Sequence, residues 1–187
     1  MRRVAVLSAC AVVGGAVLVP ATALASAEDR PPGHDGPDVS WIAVEQDFVA
    51  VLPDGETFDE DNPPPDQEAA LPVGTRLFIG EILYATEDGT TRGDAVGRTY
   101  IECTADISPF TFRCDATLAF TEGSQLHATV LIDFATLDPD VPEAFEAAVI
   151  GGTGEFSDVD GVVSVLQTTD PDDPDAETTT LYEAYLN

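Results

Sequence analysis

Beyond residue 39 the chain is written in short runs of apolar, β-branched and aromatic residues, separated by clusters of glycine, proline, serine and aspartate. Several runs alternate apolar and polar positions, the period of a strand with one buried face, and none sustains a helical period. Eight strands are predicted, over 41–52, 75–86, 96–106, 112–120, 125–134, 144–150, 159–168 and 178–186. Tight turns join several of them, such as Glu87-Asp88-Gly89 and Thr121-Glu122-Gly123-Ser124. After Pro53-Asp54-Gly55, residues 56–71 form a long acidic, proline-stiffened loop, either a lid or an unstructured segment. Asp138-Pro139-Asp140-Val141-Pro142 breaks the pattern before the sixth strand, and a polar insert over 170–177 precedes the eighth. Eight strands without a convincing helix predict an all-β sandwich or closed barrel, in which the last strand pairs with an early one and removes the exposed edges.

The faces of these strands supply the candidate chemistry. Both faces of 75–86 are largely apolar, so one faces a core and the other a neighbouring layer or an apolar cavity. Glu81 interrupts one of those faces. It is either an acid with a raised pKa or a rim residue touching water. Glu45 and Asp47 stand two apart on the first strand and are expected to share a face. On the fifth strand, His127 lies opposite the face made by Leu126, Ala128, Val130, Ile132 and Phe134, so it looks to solvent or to a lumen. Asp133, six residues along, is too far to serve as its acid/base partner.

The densest signal is Gly151-Gly152-Thr153-Gly154, between the apolar runs of the sixth and seventh strands. No Lys-Ser/Thr follows it and no helix opens after it, so a phosphate cradle does not fit. Gly151, Gly152 and Gly154 are therefore expected to let the backbone turn sharply from one strand to the next, with Phe156 packed beside them.

Composition narrows the setting. Arg2 and Arg3, the apolar run 4–18 and the alanine-rich stretch after Pro20 predict a secretory signal peptide over residues 1–25. A disordered lead over 26–38 and a single barrel domain over 39–187 follow. The mature chain is then secreted, with no membrane span left after cleavage. Aspartate and glutamate number 35 against 7 basic residues, all arginine, for a formal charge of -28. Such a surface repels nucleic acid and anionic membranes, and suits solubility. The acidic clusters lack the ligand spacing of a calcium loop, and no metal is expected. Two cysteines remain after cleavage. Folding strands three and four about Ser108-Pro109 sets Cys103 directly across from Cys114, which predicts one disulfide.

Ala148-Val149-Ile150-Gly151-Gly152-Thr153-Gly154-Glu155-Phe156 resembles the valine-glycine-glycine-threonine-glycine signature of plant dirigent proteins. Val96-Gly97-Arg98 resembles the second short motif of that family, and Gly74-Thr75-Arg76-Leu77-Phe78 its second strand. The likeness is nearest to the bacterial secreted branch of the allene oxide cyclase barrel group and covers residues 74–187. The resemblance implies an eight-stranded antiparallel β-barrel with an apolar lumen, assembled as a dimer or trimer. It further implies a small hydrophobic ligand and a cofactor-free cyclisation or coupling, or else plain lipophile binding or a structural role. On that reading Glu81, Asp47 and Tyr84 are the candidate catalytic residues, and Phe78, Arg98, Tyr100 and His127 the candidate ligand contacts. The family carries an arginine before the last glycine of its signature, where this chain has Asp160. That departure removes the basis for anion binding at this point.

Overall fold

The computed structural model describes residues 36–59, 61–63, 71–135, 144–168 and 177–187. The expected signal peptide, most of the lead and the middle of the acidic loop lie outside these residues, as do the proline-rich break and nearly all of the polar insert. Nine strands occur among the described residues: β1 (Val39–Val51), β2 (Thr57–Asp59), β3 (Arg76–Ala85), β4 (Ala95–Ser108), β5 (Thr111–Phe120), β6 (Gln125–Asp133), β7 (Ala144–Thr153), β8 (Gly161–Thr168) and β9 (Thr179–Leu186). Each hydrogen-bonds antiparallel to its neighbours in the order β2-β1-β3-β4-β5-β6-β7-β8-β9, and β9 returns to pair with β1. Eight of them thus close a barrel. β2 is the addition: it pairs with Val49–Val51 after β9 has left the same edge of β1, and it buries Phe58 in the start of the acidic loop. No helix among the described residues is long and apolar enough to cross a membrane.

The alternation of each strand decides what enters the lumen. Leu77, Glu81 and Leu83 of β3 are buried, and so are Thr99, Cys103 and Ala105 of β4. Two apolar clusters result. One gathers Trp41, Phe120 and Phe156, whose ring centroids lie 5.1 to 6.3 Å apart, with Leu118, Leu126 and Val163. The other gathers Phe48, Phe58, Phe112 and Ile132 around the two cysteines. Fully burying a side chain of this size contributes about 1.5–3 kcal/mol. The barrel is therefore held by rings of large apolar residues toward its two ends.

Cys103 and Cys114 are directly paired in the β4–β5 register and form the expected disulfide. Both are buried on the inner face, so the bond belongs to the lumen wall.

The glycine stretch differs from its expected role as one turn. β7 continues through Gly151 and Gly152 to Thr153, and the reversal comes later, through a 3-10 turn at Gly154–Phe156 and residues 157–160. The three glycines do separate jobs. Gly151, at φ +132°, sits where the β6–β7 register slips. Gly152 lies so close to Phe156 that a Cβ would stand 2.7 Å from that residue's own Cβ. Gly154, at φ +65°, opens the 3-10 turn that buries the Phe156 ring against Trp41 and Phe120.

Candidate lumenal site

Between the two apolar clusters lies an internal cavity of about 90 Å³. Its wall is mostly aliphatic, with residues such as Ile79, Ile101, Leu118 and Val165, and it includes both cysteines of the disulfide. An eight-stranded barrel has an interior just wide enough to be filled by side chains or to hold one small ligand, and small residues decide which. Ala116, Ala128 and Ala147 all line this cavity. It is smaller than the roughly 300–1,000 Å³ of drug-sized pockets, and suits a ligand on the scale of one aromatic ring.

The polar groups of the wall are Glu45, Glu81, Gln167, Thr180 and Tyr182. Glu81 is buried, with Tyr182 donating its hydroxyl to Oε2 at 2.7 Å and Thr180 donating to Oε1 at 3.2 Å. These partners stand on β9, two strands from Glu81, with β1 between. β1 presents Ala43 at this level, paired with Leu83 on one side and Thr180 on the other, and so small a side chain leaves the carboxyl room to reach across. Burial raises the Glu81 pKa above its ordinary value, because the charged form loses water, and the Tyr182 and Thr180 hydroxyls offset only part of this. Burial also lifts the Tyr182 hydroxyl well above its usual range, helped by the negative charge of Glu81 and then of Glu45. Thr99, paired with Glu81 in the β3–β4 register, holds its buried hydroxyl near the Glu81 carboxyl, outside the geometry of a full hydrogen bond but close enough to favour the charged form a little.

Glu45 reaches the same cavity, but Asp47 does not share its face. The β1–β3 register pairs Glu45 with Glu81, then slips, so that Asp47 pairs with Gly80. A β-bulge at Gln46 breaks the alternation on which the shared face rested: Glu45 turns inward with Glu81, and Asp47 is exposed on the outer surface.

The remaining candidates also lie outside the cavity wall. Phe78 and Tyr84 alternate with the inward residues of β3 and meet arginines on the outside, Arg76 at 4.8 Å from the Phe78 ring and Arg92 at 5.9 Å from that of Tyr84. Arg98 and Tyr100 are exposed on β4. His127 bonds through Nδ1 to the Thr117 hydroxyl at 3.0 Å, across the outer face of β5 and β6. The structure thus gathers Glu81 with Glu45, Thr180 and Tyr182, and leaves Asp47, Tyr84, Phe78, Arg98, Tyr100 and His127 apart from them. Tyr182 and Thr180 were missed because nothing local marks them. The available signal was their alternation with Ala184 on a strand predicted to close against an early one.

The architecture matches solved structures at low sequence identity. Pyocyanin demethylase is similar over 79% of this chain and 98% of its own, at 20% identity and a TM-score of 0.50. The pterocarpan synthase dirigent protein PsPTS1 matches over 79% of this chain and 92% of its own, at 20% identity and a TM-score of 0.55. This protein has the dirigent-like barrel fold. A second pterocarpan synthase dirigent protein, GePTS1, agrees at 19% identity and a TM-score of 0.52, over 79% of this chain and 85% of its own. No family model matches the dirigent-like barrel described here, and no curated protein matches it by sequence. At such identity the fold is what is shared, and chemistry has to be argued from the lumen.

Proposed function

We propose that this protein is a secreted barrel that binds a small hydrophobic molecule in its lumen and steers a cofactor-free rearrangement or coupling of it, with Glu81 moving the proton. The observation that carries this reading is one buried carboxyl, held by Tyr182 and Thr180, at the wall of a largely apolar cavity. Apolar walls hold a flexible substrate in few conformers and exclude water. A carboxyl whose pKa is raised by burial holds its proton to higher pH than an ordinary glutamate does, which suits it to give and take a proton. The fold neighbours support the reading by analogy, since their names give them a pyocyanin demethylation and pterocarpan syntheses. Secretion is supported by the leader pattern and by the disulfide, which suits an oxidising compartment.

A second reading, a non-catalytic carrier, draws on the scarcity of polar groups in the wall. Native mass spectrometry of protein taken directly from culture medium tests both, by detecting and identifying a bound molecule. Turnover of that molecule by the wild type but not by Glu81→Gln supports steering. Binding without turnover leaves the carrier, and a lumen that takes no small molecule overturns both.

A further inference from the structure

A second pocket opens at the end of the barrel where β1 begins and where the β5–β6 and β7–β8 turns lie. We propose that it binds a small quaternary ammonium compound, a permethylated nitrogen on a short uncharged chain.

The wall of this pocket is aromatic. Trp41, Phe120 and Phe156 line it together with Val39 and Val96, and it encloses about 300 Å³. That is the lower end of the roughly 300–1,000 Å³ typical of ligand pockets. The three rings are tilted against one another by 35°, 43° and 72°, so they make a faceted wall instead of a flat stack. The rim is acidic, with Glu122 from one turn and Glu155 from the other, both exposed. Both carboxylates converge on the buried Ser124 hydroxyl, which donates to Glu122 and lies 3.4 Å from Glu155. One hydroxyl has one proton to give, so two acids are held close together over a single donor. Among the described residues neither is in an ion pair: Arg76, Arg92 and Arg113 pair with Glu102, Glu177 and Asp106.

The glycine stretch builds this arrangement. Gly152 leaves room for Phe156 to fold back onto the strand. At Gly154 a Cβ would stand 2.7 Å from that of Ser124, so only a glycine lets the Glu155 turn settle against the turn that carries Glu122.

The wall selects the kind of cation. Aromatic rings attract positive charge, tryptophan most strongly, but offer no ordinary hydrogen-bond acceptor. A primary ammonium would leave N–H groups unpaired against them, whereas a quaternary nitrogen has none to satisfy. Glu122 and Glu155 then supply the opposite charge. This pocket shares no lining residue with the lumenal cavity, so the proposal stands or falls apart from the lumenal reading.

Calorimetry with choline and with 3,3-dimethylbutan-1-ol, which has the same shape with carbon in place of nitrogen, tests this. Trp41 is the only tryptophan and lines the pocket, so its emission locates the binding. At about 0.15 M salt, where the Debye length is about 8 Å, choline should bind at least about tenfold more tightly than the alcohol and shift the Trp41 emission. In Glu122→Gln with Glu155→Gln that ratio should fall toward one. Glu56→Gln with Glu146→Gln removes two exposed acids elsewhere and should leave it unchanged. Phosphocholine, the form carried by lipid headgroups, sets a phosphate beside the two acids and should bind more weakly than choline. Choline that does not bind, binds no better than the alcohol, or binds without moving the Trp41 emission overturns the proposal. So does a preference that survives the Glu122 and Glu155 substitutions, one that falls equally in the control pair, or phosphocholine binding as tightly as choline.

Discussion

Glu45 and Glu81 face each other across β1 and β3 inside the barrel, while Asp47, two residues beyond Glu45, lies on the outer surface. One extra residue in β1 thus separates two acids that a regular strand would have placed together, and it gives them different chemistry. Asp47→Asn should change stability by less than about 0.5 kcal/mol, as for other exposed substitutions, and should leave ligand binding intact. Glu45→Gln should alter the affinity for lumenal ligands. Denaturant titration beside ligand titration checks both, and an Asp47→Asn variant with impaired lumenal binding would contradict the bulge.

Glu81 should make stability depend on pH in a definite direction. The folded state holds its proton more tightly than the unfolded chain, whose glutamate has the ordinary value of 4.5. Stability of the wild type relative to Glu81→Gln is therefore fullest below 4.5. It declines as pH rises through the raised folded value, because unfolding then releases a proton. Urea midpoints of the two proteins between pH 4 and 8 measure the difference, and parallel curves would show that Glu81 is not held in this way. Tyr182→Phe removes the shorter of the two hydrogen bonds and should cost about 1–3 kcal/mol by leaving a buried carboxyl less satisfied. It should also carry the same decline on to higher pH, because the lost hydrogen bond had favoured the charged form.

The disulfide closes a short hairpin, and loop-closure entropy assigns it about 3 kcal/mol. Cys103→Ser with Cys114→Ser should lower stability by an amount of that order. Both sulfurs line the cavity, so the change should also alter lumenal affinity, which a surface disulfide would not do. Chemical denaturation and ligand titration of the double variant check the two effects separately.

Gly152→Ala should be costly although the backbone there is not left-handed. The added methyl meets the Phe156 Cβ at 2.7 Å and the Gln125 carbonyl on the neighbouring strand. Overfilling of this kind costs typically 1–3 kcal/mol. The chain has one tryptophan, Trp41, and it contacts Phe156, so its emission reports whether the aromatic cluster has shifted. An alanine variant with unchanged midpoint and emission would refute this account of the glycine.

The eight barrel strands were legible because each alternates locally and is punctuated by turn residues, and the Cys103–Cys114 pairing followed from symmetry about Ser108-Pro109. Strand β2 was not, since three residues inside an acidic loop carry no period and only Phe58 hints at burial. Glu81 stood out as an acid among apolar neighbours. Its partners did not, because Tyr182 and Thr180 are ordinary strand residues a hundred positions away, brought close only by barrel closure. The separation of Glu45 from Asp47 was hidden for a related reason: a bulge is a property of pairing between strands, and Gln46 has no feature of its own that announces one. Likewise the glycine stretch showed that the backbone needed freedom without showing that the reversal comes after Thr153.

The return of β9 to β1 makes the barrel an all-or-nothing object. β1 is the first described strand and β9 the last, so a chain lacking 179–186 exposes the edges of β1 and β8 that β9 covers in the closed barrel. Loss of the C-terminal strand would also strip Glu81 of both its hydroxyl partners, leaving a buried acid beside an open seam. Proteolytic trimming at that end should therefore yield a self-associating species in place of a smaller, still soluble barrel.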